Sequence, residues 1–223
     1  MAVVAFGAMA QMAPTFMVSA GDQVTVEGGS ASFVVLATGA PAPSYRWQMS
    51  MDGGVSWTDI ANSSLYRGVS SSLLVLSGVP SALSGRMYRA IAANSMGSHA
   101  SAAGTLTVFT APVITSHPAD RVAGVGQTVT FLTAASGRPH PSYRWQVLRP
   151  GSSSWVSLSN GGPYAGATSG MLTVSGVTPE LSGSRYRVVV SNGVAAVTSD
   201  SATLTVDVTW IAWLKRHALL GSG

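Results

Sequence analysis

PSYRWQ is written twice in this chain, at Pro43–Gln48 and again at Pro141–Gln146, 98 positions apart. Shifting the chain by those 98 positions aligns far more than the hexapeptide. Ala13-Pro14 falls on Ala111-Pro112, Phe33 on Phe131, Gly39 on Gly137 and Trp57 on Trp155. Tyr66 falls on Tyr164, Leu83-Ser84-Gly85 on Leu181-Ser182-Gly183, and Tyr88-Arg89 on Tyr186-Arg187. Asn94 meets Asn192, and Thr105-Leu106-Thr107-Val108 meets Thr203-Leu204-Thr205-Val206, with no gap anywhere. About two in five aligned positions are identical. The chain is therefore a tandem duplication, and its join, Val108–Pro112, is too short for a free linker.

Each copy reads as strands. ASFVVLA, residues 31–37, places Ala31, Phe33, Val35 and Ala37 on one face. In the hexapeptide Tyr45 and Trp47 share one side, and Arg46 and Gln48 the other. Leu74 and Leu76, Leu172 and Val174, and the set Tyr88, Ala90 and Ala92 alternate in the same way. Turn signals separate the runs, among them Gly-Ala-Pro-Ala-Pro, Asp52-Gly53-Gly54, Asn62-Ser63-Ser64 and Asn192-Gly193. Short strands about ten residues apart, with no helical period between them, predict an all-β sandwich or barrel.

These residues carry a family resemblance. The pattern G-x-P-x-P-S-Y-R-W-Q, then a Gly-rich turn and a second Trp, then L-S-G-x-x-Y-R-x-x-x-x-N and T-L-T-V, resembles the immunoglobulin-like domains found in tandem in exported bacterial proteins. It covers about residues 13–108 and 111–206. The resemblance implies two Greek-key sandwiches, with Trp47 and Trp145 on the third strand packing across the core. It also implies that Tyr88 and Tyr186 form a tyrosine corner whose hydroxyl bonds nearby backbone. Phe33 and Phe131 join them as core. The two positions that carry the inter-sheet disulfide in antibody domains fall at Val35 and Ala90, and at Thr133 and Val188. The chain has no cysteine, so packing alone must replace a cross-link worth about 2–4 kcal/mol.

Composition narrows the function classes. Charged residues are 9% of the chain, against about 25% in soluble proteins generally. A surface so poor in charge packs readily against copies of itself. Net charge is +4, but the arginines are scattered, and the largest basic cluster is Lys215-Arg216-His217. That footprint does not fit nucleic-acid binding. No run of 18 apolar residues is present, so no integral membrane span is expected. The four histidines are not repeated and sit in no nucleophile or metal motif; the eight acids read as scattered, with no paired carboxylates and no calcium loop. No catalytic residue, metal ligand or cofactor is assigned.

Three features remain as candidates for binding. Arg46 and Arg89, with their copies Arg144 and Arg187, face outward on neighbouring strands if the resemblance holds. Two such guanidiniums grip a carboxylate or sulfate, or else simply cap the sheet. Trp57, Tyr66, Trp155 and Tyr164 form a glycan platform if exposed, or cover sheet edge and core if not. The ends are the only parts not copied. The arm at residues 1–12 carries Phe6 among small apolar residues and reads as an apolar arm or a signal remnant. The tail WIAWLKRHALL places Trp210, Trp213 and Leu214 on one apolar helical face.

The sequence thus predicts an all-β chain: arm 1–12, immunoglobulin-like domain 13–109, a second at 110–207, and a tail over 208–223 with a short amphipathic helix. The function it points to is a non-enzymatic structural or adhesive protein, extracellular, on a bacterial surface, filament or virion. Self-association through apolar termini and strand edges is the expected partner interaction. The alternatives are a module binding glycan or a surface protein, and a spacer of a larger exported protein.

Overall fold

The computed structural model describes residues 10–209. Almost all regular structure is strand, and the chain divides into two compact units between Thr110 and Ala111. The tail helix and Phe6, Trp210 and Trp213 lie outside the described residues.

The first unit contains β1 (Met12–Val18), β2 (Gln23–Val26), β3 (Ser30–Val34), β4 (Leu36–Ala40), β5 (Ser44–Ser50), β6 (Thr58–Asp59), β7 (Tyr66–Arg67), β8 (Leu73–Ser77), β9 (Met87–Asn94) and β10 (Gly97–Ala100). The strand β11 (Gly104–Ser116) gives residues 104–110 to this unit and 111–116 to the next. One sheet runs β3-β8-β7, with β1 paired to β4 beside it; the other runs β11-β9-β5-β6, with β10 on β9 and β2 parallel to β11. β1 begins at Met12, opposite Ala40, so residue 12 belongs to the sandwich and not to the arm.

The second unit repeats the plan with β12 (Arg121–Gly124), β13 (Val129–Leu132), β14 (Ala134–Arg138), β15 (Ser142–Leu148), β16 (Val156–Ser157), β17 (Tyr164–Ala165), β18 (Met171–Val174), β19 (Arg185–Ser191), β20 (Ala196–Thr198) and β21 (Ala202–Asp207). Its sheets run β13-β18-β17 and β12-β21-β19-β15-β16, and residues 111–116 pair with β14. A single 3-10 turn precedes the strand of each corner tyrosine, at Ser81–Leu83 and Pro179–Leu181. The Gly-x-Pro turns contain cis peptides at Ala40-Pro41 and Arg138-Pro139.

Period two sets the interior. Phe33, Leu74 and Leu76 come from one sheet, and Trp47, Tyr88, Ala90 and Leu106 from the other; all seven are wholly buried. Phe33 stacks on Tyr88 with centroids 4.8 Å apart and meets Trp47 at 6.3 Å. Phe131 repeats this with Tyr186 at 4.7 Å and Trp145 at 6.4 Å. Each indole N–H is satisfied, Trp47 Nε1 donating to the Ser71 carbonyl at 2.9 Å and Trp145 Nε1 to that of Ser169 at 2.8 Å. At the disulfide positions Val35, Ala90, Thr133 and Val188 are all buried; Val35 and Ala90 belong to one apolar cluster, whereas the Thr133 hydroxyl donates to the Ser116 carbonyl at 2.8 Å. Burying one large apolar side chain is worth about 1.5–3 kcal/mol, so a trio of buried rings exceeds what the missing cross-link would add.

One expectation from the resemblance is corrected. The Tyr88 hydroxyl does not reach backbone; it lies 3.3 Å from the Tyr66 hydroxyl. The reason is steric. Tyr66 on β7 leans over the same end of the core, its ring 6.3 Å from that of Tyr88. Burial pushes the phenols of Tyr88 and Tyr186 well above the ordinary tyrosine range, so both stay neutral.

Candidate functional site

With Trp47 and Trp145 turned inward, alternation sends Arg46 and Gln48, and Arg144 and Gln146, to the outer face of their sheets. Register then decides their partners. In the first unit Gln48 stands opposite Arg89 on β9 and opposite Asp59 on β6, while Arg46 stands opposite Ile91. The Gln48 amide is held at both ends. Its Oε1 accepts from Arg89 Nε at 2.9 Å, and its Nε2 donates to Asp59 Oδ1 at 2.7 Å. The same Asp59 oxygen lies 3.7 Å from Arg46 Nε. Beyond Arg46, a shallow hollow of about 270 Å³ is lined by Ser44, Tyr45, Arg46, Ile91, Ala93 and Ser98.

Arg89 also covers Trp57. Its guanidinium carbon sits 4.1 Å above the ring centroid, and the indole N–H donates to the Gly54 carbonyl at 3.0 Å. Arg187 lies over Trp155 at the same 4.1 Å, with its Nε donating to Gln146 Oε1 at 2.8 Å. Of the alternatives left open by the sequence for the arginines and the aromatics, the geometry favours the capping ones. Arg46 and Arg89 are not opposed across the strands, so they do not form one two-guanidinium clamp; a glutamine separates them. The tryptophans are not an open platform, because a guanidinium occupies a face of each ring. Tyr66 and Tyr164 are turned to the core, ring centroids 6.3 and 6.4 Å from Tyr88 and Tyr186.

Within this outer network the two copies differ at one position. Where β6 has Asp59, β16 has Ser157. Gln146 Nε2 reaches Ser157 Oγ only at 3.5 Å, and Arg144 is exposed, with no side-chain partner among the described residues.

Other polar groups are taken up by the fold. Asp22 Oδ1 accepts the Thr105 N–H at 2.7 Å, and Asp120 Oδ1 that of Thr203 at 2.6 Å. Sequence reasoning passes over these two as scattered acids, although their 98-residue spacing is the signal that they belong to the repeat. The Asn94 amide donates to the Met12 and Pro41 carbonyls at 2.7 and 2.8 Å. His117 Nδ1 accepts the Asp200 N–H at 2.9 Å, where Ser19 in the first copy accepts that of Ala102 at 3.2 Å. In the β5–β6 turn Asp52 takes hydrogen bonds from the Ser56 hydroxyl and N–H and from the Ser50 hydroxyl, which hold its carboxyl down at about 2. Among the described residues no three histidines or carboxylates converge on a metal position. No helix there is long and apolar enough to cross a membrane.

Comparison with known proteins agrees with this architecture. Residues 111–192 match the family model of the immunoglobulin domain. Endoglucanase C of Cellulomonas fimi is 38% identical over 186 residues, which are 83% of this chain and 15% of the endoglucanase. Two solved structures align along nearly the whole chain. An I-band fragment of titin does so with a TM-score of 0.64 and 19% identity, over 89% of this chain and 66% of the fragment. Sidekick-1 immunoglobulin domains 1–4 give 0.61 and 23%, over 90% of this chain and 50% of theirs. The duplication, the two sheets of each unit and the buried Trp–Tyr–Phe trio find their place together: the chain is a tandem pair of cysteine-free immunoglobulin-like domains.

Proposed function

We infer that this pair is a non-enzymatic structural and adhesive module, working outside the cell and joined to protein partners that include its own copies. The observation that carries the reading is an apolar surface kept in both copies. Val24, Val34 and Leu73 stand 62%, 52% and 42% exposed on the first unit, and their counterparts Val122, Leu132 and Met171 are 73%, 52% and 48% exposed on the second. Val34 pairs with Leu73 across β3 and β8, and Leu132 with Met171 across β13 and β18. Two sandwiches thus offer the same aliphatic ladder to solvent on a surface poor in charge, the composition of a protein-contact face. The β6, β7, β16 and β17 strands have two residues each, too short to offer a neighbour much backbone to pair with. Contact is assigned first to this face, with the longer edge strands such as β1 and β3 and the uncopied termini as further sources. A bacterial surface, filament or virion is the setting this reading favours.

Multi-angle light scattering of the purified chain tests it, with and without residues 1–9 and 210–223, and with Leu73→Lys plus Met171→Lys. Multimers that dissociate in the lysine variant are expected. A monomer at millimolar concentration in every form removes self-association. The endoglucanase supports a second reading: there a segment like this pair is 15% of a longer polypeptide, as a spacer would be. Immunoblotting the native protein for its full mass decides between the two.

A further inference from the structure

The two units serve as controls for one another on the outer face of the β5–β9 and β15–β19 pairs. In the first, a carboxylate is built in. Asp59 Oδ1 accepts from Gln48 Nε2 at 2.7 Å and lies 3.7 Å from Arg46 Nε. In the second, the donors are kept and the carboxylate is gone. Gln146 stands opposite Ser157 just as Gln48 stands opposite Asp59. Arg187 pins the Gln146 carbonyl at 2.8 Å, as Arg89 pins that of Gln48 at 2.9 Å. The pinned carbonyl fixes which end of the amide points at position 157: the N–H end. Ser157 is neutral and short, so its oxygen is reached only at 3.5 Å, the outer limit of a hydrogen bond. Arg144, in the place of Arg46, is left exposed and unpaired among the described residues.

We propose that the second unit receives here a carboxylate from a partner protein, an Asp or Glu side chain set where Asp59 sits in the first. Arg144 supplies the charge and the Gln146 N–H the direction, a charge-assisted pair on a preformed amide. Two observations favour a protein side chain over a uronic sugar. The template is itself an aspartate side chain, and the flat ring a sugar would stack on, Trp155, already carries the Arg187 guanidinium at 4.1 Å. An exposed pair of this kind adds little total affinity; it selects acidic partners and sets their register. The proposal rests on the chain being a protein-binding module but not on its binding itself, which light scattering reports separately.

The test is NMR of the full ¹⁵N-labelled chain, following the Arg144 Nε–H and Gln146 NH₂ signals during titration with hexaglutamate. A saturable shift is expected there and not at Arg46 or Gln48, with chloride at equal ionic strength giving none. Arg144→Gln should weaken the response about two- to fivefold. Ser157→Asp should abolish it by filling the position from within. Asp59→Ser should create a second responding site at Arg46 and Gln48. A shift reproduced by chloride, or one unchanged by Ser157→Asp, overturns the carboxylate site. Hexagalacturonate binding as well as hexaglutamate overturns the assignment to a protein side chain.

Discussion

Replacing Phe33 by Leu tests what holds the sandwich shut in place of a disulfide. Phe33 is wholly buried, stacked on Tyr88 at 4.8 Å and tilted against Trp47 at 6.3 Å. Leucine keeps the hydrophobic character and loses both ring contacts. At about 0.5–1.5 kcal/mol each, these account for roughly 2 kcal/mol. The unfilled volume adds a part of the 3–5 kcal/mol known for removing a whole phenylalanine side chain, so the total is about 2–3 kcal/mol. In a domain of about 100 residues this lowers the melting temperature by roughly 10–20 °C. Differential scanning calorimetry of the full chain reads the shift. A double-mutant cycle with Tyr88→Leu, in urea, isolates the stacked pair, for which a coupling of about 1 kcal/mol is expected. Phe131→Leu in the second unit is a built-in replicate, since its centroid distances are 4.7 and 6.4 Å. A coupling within the roughly 0.3–0.5 kcal/mol seen between independent sites would refute the argument. It would mean that the aliphatic contacts at Val35 and Ala90 do the holding.

Other outcomes follow from single features. Gly68 and Gly166 have φ of +76° and +74°, and a Cβ at either would collide with the carbonyl of Leu73 or Met171. Alanine at either should cost more than about 2 kcal/mol in urea unfolding, whereas at Gly53, which has open space around it, the cost should be only that of its positive φ, about 1 kcal/mol. Asp22→Ala and Asp120→Ala each strip the acceptor from a backbone N–H, at about 1–2 kcal/mol by the same assay. Arg89→Ala should bare the Trp57 ring and raise its quenching by acrylamide, with Arg187→Ala doing the same for Trp155. Asp52 titrates near 2 in the fold and at an ordinary 3.8 when free, so the unfolded chain takes up the proton first. Its contribution is therefore complete above about pH 5 and lost as pH falls from about 4 to 2. Asp52→Asn should flatten that part of the urea-midpoint profile, and an unchanged profile would contradict the hydrogen bonds from Ser50 and Ser56.

Phe33, Trp47 and Tyr88 are legible in the sequence because period two puts each on a face, and duplication shows that the face was copied. The outer network is not legible in the same way. Whether Arg89 meets Arg46, Gln48 or Trp57 depends on the registers of β5 with β9 and β6, and no local pattern states a register. The Tyr88–Tyr66 contact is hidden for the same reason: it needs to be known how the two-residue strand β7 crosses the end of the core. Asp22 and Asp120 were within reach of the repeat comparison, but an acid in a loop carries no periodicity to single it out. Ser157 is the opposite case. It becomes informative only when the geometry shows what Asp59 does in its place.

Two sandwiches that share six consecutive residues on one chain are each other's most concentrated source of misfolding. A nascent β5 meets not only β9 but, later, β19, and loop closure across the extra residues adds little entropy cost, because that cost grows only with the logarithm of length. Side chains opposite the tryptophans penalise the exchange. Trp47 pairs with Ala90, and Trp145 with Val188. A β5–β19 hybrid would press Trp47 against the larger valine, and its complement would leave Trp145 over a void of about two methyl groups; both errors are destabilising. The divergence between Ala90 and Val188, both wholly buried, thereby disfavours the hybrid pairings against the native ones.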